Sequence, residues 1–128
     1  MKVLDSTLLI DLLRGEKAAH ELVKQNDFLL TTQINMFEVI RGLFLQNASA
    51  QKFAEAMEIF ENIRVLPLDD SGIIKSADIS STLVRQGKMI EDSDCLIAGI
   101  ALSKGITTII TRNVKDFEKI KGLEVETY

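Results

Sequence analysis

Asp92-Ser93-Asp94-Cys95-Leu96-Ile97-Ala98-Gly99-Ile100-Ala101-Leu102-Ser103, closed by Gly105 and followed by Thr107-Thr108-Ile109-Ile110, decides the fold. Over Ser93 to Ser103, Leu96, Ile97, Ile100 and Ala101 leave little polar face, which predicts a buried helix. The next run, Thr107 to Ile110, is short and β-branched, a strand bounded by glycine. A buried helix feeding a short strand fits a sheet with helices packed on it.

Working outward, the same alternation recurs along the chain. Lys2 to Leu4 reads as a strand, and Ser6 or Thr7 caps a helix ending at Arg14 before Gly15. A second helix covers about Glu16 to Gln25. Phe28-Leu29-Leu30 is a strand, after which Thr31-Thr32 can cap a helix carrying Ile34, Phe37, Ile40 and Phe44 at helical spacing. Gln51 to Asn62 and Ile73 to Arg85 are further helices, with a strand stub at Arg64 to Leu66 and a terminal strand at Leu123 to Thr127. No repeat or linker divides residues 1–128, so one domain is expected. Strands separated by helices predict a parallel sheet in a three-layer α/β/α sandwich, with functional residues gathered where strands end.

Composition narrows the function. The chain has 128 residues, 46% hydrophobic and 27% charged, with one proline and seven glycines, which fits an ordered domain of ordinary size. A single cysteine, Cys95, excludes an internal disulfide framework and fits a reducing compartment. The apolar stretch from Cys95 to Leu102 is far short of the roughly 20 residues of a membrane span. Met1-Lys2-Val3-Leu4-Asp5 places a carboxylate where a signal peptide would be apolar. A cytoplasmic protein is expected. The net charge of −4 comes from 15 basic and 19 acidic residues and argues against binding nucleic acid by broad basicity. Setting aside Asp5, Glu38, Asp92, Asp94 and Asp116 leaves 15 basic and 14 acidic residues, a nearly neutral remainder.

Each of those five acids has an ordinary explanation and a functional one. Asp5 ends a strand and opens a helix, where the macrodipole favours an acid, yet it lies at the expected functional edge. Glu38 sits in an apolar segment with Arg41 three residues on as an ion-pair partner. Gly42, one turn further, costs about 1 kcal/mol relative to alanine in mid-helix and would leave room for an ion or a close backbone. Of Asp92 and Asp94, one suffices to cap a helix, so the second is unexpected beside an apolar run. Asp116 lies in a polar loop after a strand and is as well placed to cap as to serve a site. Oxygen ligands without clustered histidine or cysteine select Mg²⁺ or Mn²⁺ over zinc. His20 and Cys95 read as a surface and a core residue. A carboxylate-held Mg²⁺ points to phosphoryl transfer or phosphodiester hydrolysis.

Val3-Leu4-Asp5-Ser6, Thr32 to Gly42 around Glu38, Ile90 to Gly99 around Asp94, Thr111-Arg112-Asn113 with Asp116-Phe117, and Ile120 to Val125 occur in order along the whole chain. In this ordered set the sequence resembles PIN domains of the VapC toxin ribonuclease type. The resemblance implies an α/β/α sandwich and Mg²⁺- or Mn²⁺-dependent endonucleolytic cleavage of RNA. It places the metal-binding acids on Asp5, Glu38 and Asp94, a fourth on Asp116 or its amide counterpart Asn113, and an additional one on Asp92. Ser6 and Thr111 match hydroxyl residues that support the site. A small VapB-like antitoxin and a homodimer are the implied partners, with the helices around Phe37 to Leu45 and Phe53 to Phe60 available for the dimer surface. Three alternatives stay open: a PIN relative that only binds, a phosphoacceptor receiver domain, and a dehalogenase-like phosphatase suggested by Asp92-Ser93-Asp94.

Overall fold

A computed structural model describes all 128 residues. Five short strands, β1 (Lys2–Leu4), β2 (Leu29–Thr32), β3 (Arg64–Leu66), β4 (Thr108–Ile110) and β5 (Glu124–Glu126), form one sheet in the order β3-β2-β1-β4-β5. All neighbours run parallel, with Val3 opposite both Leu30 and Ile109. The helices are α1 (Ser6–Leu13), α2 (Lys17–Gln25), α3 (Gln33–Leu45), α4 (Ala50–Asn62), α5 (Asp70–Arg85), α6 (Asp92–Ser103) and α7 (Val114–Phe117). None is long and apolar enough to cross a membrane.

Alternation along the strands sorts their side chains into two cores. Val3, Leu30, Leu66 and Ile109 pack with Ile79 of α5, Ile97 and Ile100 of α6, and Phe117 of α7. Leu4 and Ile110 pack on the opposite face with Leu8 of α1, Ala19 of α2, Val39 of α3 and Phe60 of α4. Four helices therefore cover one face and three the other, which is the predicted three-layer sandwich. Buried on both sides, α6 places Ile97, Ala98 and Ile100 out of solvent altogether. His20 is exposed, and Cys95 is buried in the core.

The chain leaves β1 toward β2 and β3 on one side, then returns to β4 and β5 on the other. The order therefore reverses between β1 and β4, and a crevice opens at their carboxyl ends. Asp5 follows β1, its amide donating to the Ile110 carbonyl at 3.0 Å; Thr111 follows β4 and donates to the Glu126 carbonyl at 2.9 Å. A receiver-type sheet of order 2-1-3-4-5 reverses elsewhere, so the strand order removes that alternative.

Several details depart from expectation. Phe28 is outside β2 with φ of 58°, and the strand extends instead through Thr31 and Thr32. Helix α5 begins three residues before Ile73, because the Asp69 carboxylate caps it by accepting from the Gly72 amide at 2.9 Å. Asp116 lies on a helical turn, α7, too short to show periodicity. Gly42 meets nothing within 4 Å where a Cβ would stand, so no close approach explains it. It lines a separate groove with Ile10 and Leu13 of α1, not the acidic edge of the sheet.

Candidate active site

The crevice holds a pocket with eight lining residues, none of them apolar. Strand ends and helix starts supply it: Asp5, Ser6 and Thr7 after β1, Asn113 and Asp116 after β4, Glu91 and Asp94 at the start of α6, and Glu38 from α3. Four acids singled out in the sequence thus converge from four separate segments. The cavity, about 200 Å³, has room for an ion with several waters, each of which occupies roughly 30 Å³ in the liquid.

Asp5 is 5% exposed, and its carboxylate accepts no capping hydrogen bond from α1. It faces the crevice instead. Thr111 Oγ1 donates to its Oδ2 at 2.6 Å and Asn35 Nδ2 to its Oδ1 at 3.0 Å. Burial pushes its pKa up, opposed by hydrogen bonds from Thr111, from the Ser6 backbone and from Asn35. Ser6 Oγ donates to Glu38 Oε1 at 2.8 Å and accepts from Asn35 Nδ2 at 3.0 Å. Glu38 is half-buried, and its pKa is raised first by burial and then by the charges of Asp5 and Glu91.

Asn35 is the hub of this network. It is fully buried, and Thr32 Oγ1 donates to its Oδ1 at 2.7 Å, so the amide orientation leaves both donors for Asp5 and Ser6. The Asn35 amide in turn donates to Thr32 Oγ1 at 3.2 Å, capping α3 as Thr32 was predicted to do. Asn35 was missed in the sequence because an amide in a first helical turn reads as solvated. Its position three residues before Glu38, on the same face, was the available signal.

Asp94 is 8% exposed, and Asn113 Nδ2 donates to its Oδ2 at 3.2 Å. Burial, then the charges of Asp5, Glu38, Glu91 and Asp116, push its pKa up to about 7. The Thr111 hydroxyl fixes Asn113 by accepting from its amide at 2.9 Å. Asp116 is partly exposed on the rim, its Oδ1 3.7 Å from Lys119 Nζ. Asp92 does not join the pocket: it is exposed, and Glu91 lines the cavity in its place. The reason is helical spacing, since Glu91 and Asp94 are three apart and share a face whereas Asp92 and Asp94 are two apart and do not.

No three of these acids stand close enough to ligate one ion together directly. The donor set is nonetheless all oxygen, with carboxylates crowded enough to raise one another's pKa values, and such a set matches a hard cation retaining part of its water shell.

The PIN domain family model matches residues 2–123 of this sequence. The chain belongs to the PIN domain family. Along nearly its whole length this PIN domain is similar to "Ribonuclease VapC1" of Haemophilus influenzae, at 31% identity over 95% of this chain and 93% of the relative. It is also 29% identical to "tRNA(fMet)-specific endonuclease VapC" of Salmonella typhimurium over 76% of this chain and 73% of that one. Among solved structures, the DNA-bound VapBC of Salmonella typhimurium superposes with a TM-score of 0.90 at 26% identity, covering 98% of this PIN domain and 96% of that chain. VapBC-1 of nontypeable Haemophilus influenzae gives 0.84 at 30% identity, with the same coverage.

Proposed function

We propose that this PIN domain is a Mg²⁺- or Mn²⁺-dependent endoribonuclease and the toxin of a VapBC-type pair. The observation that carries the reading is the convergence of Asp5, Glu38, Asp94 and Asp116 in one apolar-free pocket at the topological switch point. The ribonuclease names of the relatives support RNA as the substrate.

Asp5, Glu38 and Asp94 would hold the ion, in part through water. When bound, it supplies Lewis acidity to the scissile phosphate and lowers the pKa of a coordinated water. Thr111 and Asn35 fix both oxygens of Asp5, and Ser6 fixes Glu38, so these carboxylates need little reorganisation when the substrate arrives. Asp116, open to solvent on the rim, orients the attacking water and takes up its proton. The water oxygen forms the new bond to phosphorus, the bond to the departing ribose oxygen breaks, and that oxygen is protonated from solvent.

The VapBC structures of the relatives support a small VapB-like antitoxin as the partner of this chain. A basic side chain entering the carboxylate pocket would be held by charge-assisted hydrogen bonds. The apolar helices divide between two roles. Val39, Leu43, Ala56 and Phe60 are core, while Phe37, Phe44 and Leu45 remain exposed on α3 and form the surface for a second copy.

The decisive experiment incubates the purified chain with structured RNAs and Mg²⁺ or Mn²⁺, with Asp94→Asn as control. Metal-dependent cleavage lost in the variant is the expected result. No cleavage, or equal cleavage by both proteins, overturns the reading.

A further inference from the structure

The acidic pocket leaves a second charged feature of the surface without a role. A groove between α5 and the turn after α7 is lined by Lys75 and Asp78 on one wall and by Lys119 and Lys121 on the other. Three cations against one anion is the reverse of the balance of a chain with a net charge of −4. Lys75 shares its charge with Asp78 at 3.6 Å, and Lys121 is exposed. Thr82 and Gln86 add hydrogen-bonding groups, and no aromatic ring lines the groove.

Lys119 joins this groove to the pocket. It lines the groove, and its ammonium stands 3.7 Å from Asp116 Oδ1, on the rim of the acidic crevice. A polynucleotide with one phosphate among the acids carries its neighbouring phosphates out over the rim, and Lys119 is the cation beside Asp116 there. Lys121 and Lys75 line the same groove. We propose that this groove is the track of the RNA backbone leaving the active site, with Lys119, Lys121 and Lys75 as successive phosphate contacts. The proposal rests on the ribonuclease reading and adds a binding surface to it. Without a ring to stack on, the track holds phosphates and is indifferent to base identity. It sets register and affinity and leaves selection to the shape of the RNA.

The test measures binding of a labelled hairpin RNA with single-stranded flanks in the Asp94→Asn background with Mg²⁺ present. Lys75→Gln/Lys119→Gln/Lys121→Gln is expected to weaken binding by about tenfold near physiological salt. It should also flatten the slope of log affinity against log salt by about 2, since each single-strand phosphate contact contributes about 0.7. A short RNA that reaches only the acidic pocket should bind both proteins alike, and Lys→Arg versions should keep the affinity for the long RNA. Equal affinity and slope for the long RNA overturn the track. So does loss of affinity for an acidic peptide with RNA binding intact, which would make the groove a protein surface. Cleavage of the same RNA by the wild-type chain separates the two claims. If it cleaves while the triple variant binds unchanged, the track alone falls; if it cleaves no RNA, the ribonuclease reading falls and the track with it.

Discussion

A methyl group built on Gly99 would stand 1.9 Å from Ser76 Oγ and 2.7 Å from the Ser76 amide nitrogen. Helices α5 and α6 meet here at a distance only hydrogen permits. The Ser76 hydroxyl is folded away by donating to the Gly72 carbonyl at 2.7 Å. Because Asp94 and Gly99 share α6, this contact also sets how deep Asp94 sits.

Gly99→Ala should therefore destabilise the fold by about 1–3 kcal/mol or more, as overpacked cores do. Ser76→Ala should not restore it, because the Ser76 amide nitrogen and Cα remain 2.7 and 2.8 Å from the added methyl. Urea unfolding of the single and double variants measures both effects.

Asn35→Ala removes the donor to Asp5 and Ser6 and strands the Thr32 hydroxyl. The expected cost is about 1–3 kcal/mol, the desolvation of buried groups left unpaired. Asn35→Asp should be worse at neutral pH, since it sets a second buried carboxylate beside Asp5. Urea midpoints at pH 7 check the order, and an Asp variant more stable than the Ala variant would contradict it.

The strands and the buried helix were legible because each carries its own period or an uninterrupted apolar character. Asp5, Glu38, Asp94 and Asp116 were legible as acids in segments that the topology would bring together. Asp92 and Glu91 were confused because adjacent acids look alike in sequence and separate only once the helical face is fixed. Asn35 was illegible for a different reason: its partners lie about thirty residues upstream at Asp5 and Ser6. Helix α7 has four residues, too few for any periodicity to emerge.

Asp94 predicts how stability responds to pH. Its folded pKa, about 7, lies above the ordinary carboxylate value, so folding favours its protonated form. That contribution is fully present below about pH 4 and is lost as pH rises through 7. Asp5 and Glu38 are shifted in the same direction. In EDTA, the melting temperature should fall between pH 5.5 and pH 8. Asp94→Asn should recover about 1–2 kcal/mol at pH 8, a figure reduced for solvent screening. Mg²⁺ should raise the melting temperature of the wild type at pH 8 more than that of the variant. Calorimetry across the pH range, with and without Mg²⁺, reads all three.

Tyr128 ties the segment after β5 back to α1. Its hydroxyl donates to Asp11 Oδ2 at 2.6 Å, the same oxygen lies 3.0 Å from Arg112 Nε, and the Arg112 guanidinium stacks 4.6 Å over the Tyr128 ring. Tyr128→Phe keeps the stacking and loses only the hydroxyl, so a cost of about 1 kcal/mol is expected. Burial, followed by the Asp11 hydrogen bond, holds the Tyr128 pKa above its ordinary value. The phenol should therefore ionise later than a free tyrosine in an ultraviolet titration, and ionisation at or before the ordinary tyrosine midpoint would show that the contact does not form in solution.

The central position of β1 has a consequence for the order in which a ribosome delivers this chain. Asp5 and Glu38 emerge early, but the first strand lacks its neighbour β4, and Asp5 lacks Thr111, until more than a hundred residues have been made. Asp94 and Asp116 also arrive in the last third. A nascent or truncated copy thus carries Asp5 and Glu38 held only by Asn35 and Ser6, and the acidic pocket is complete only once the final third of the chain has been made.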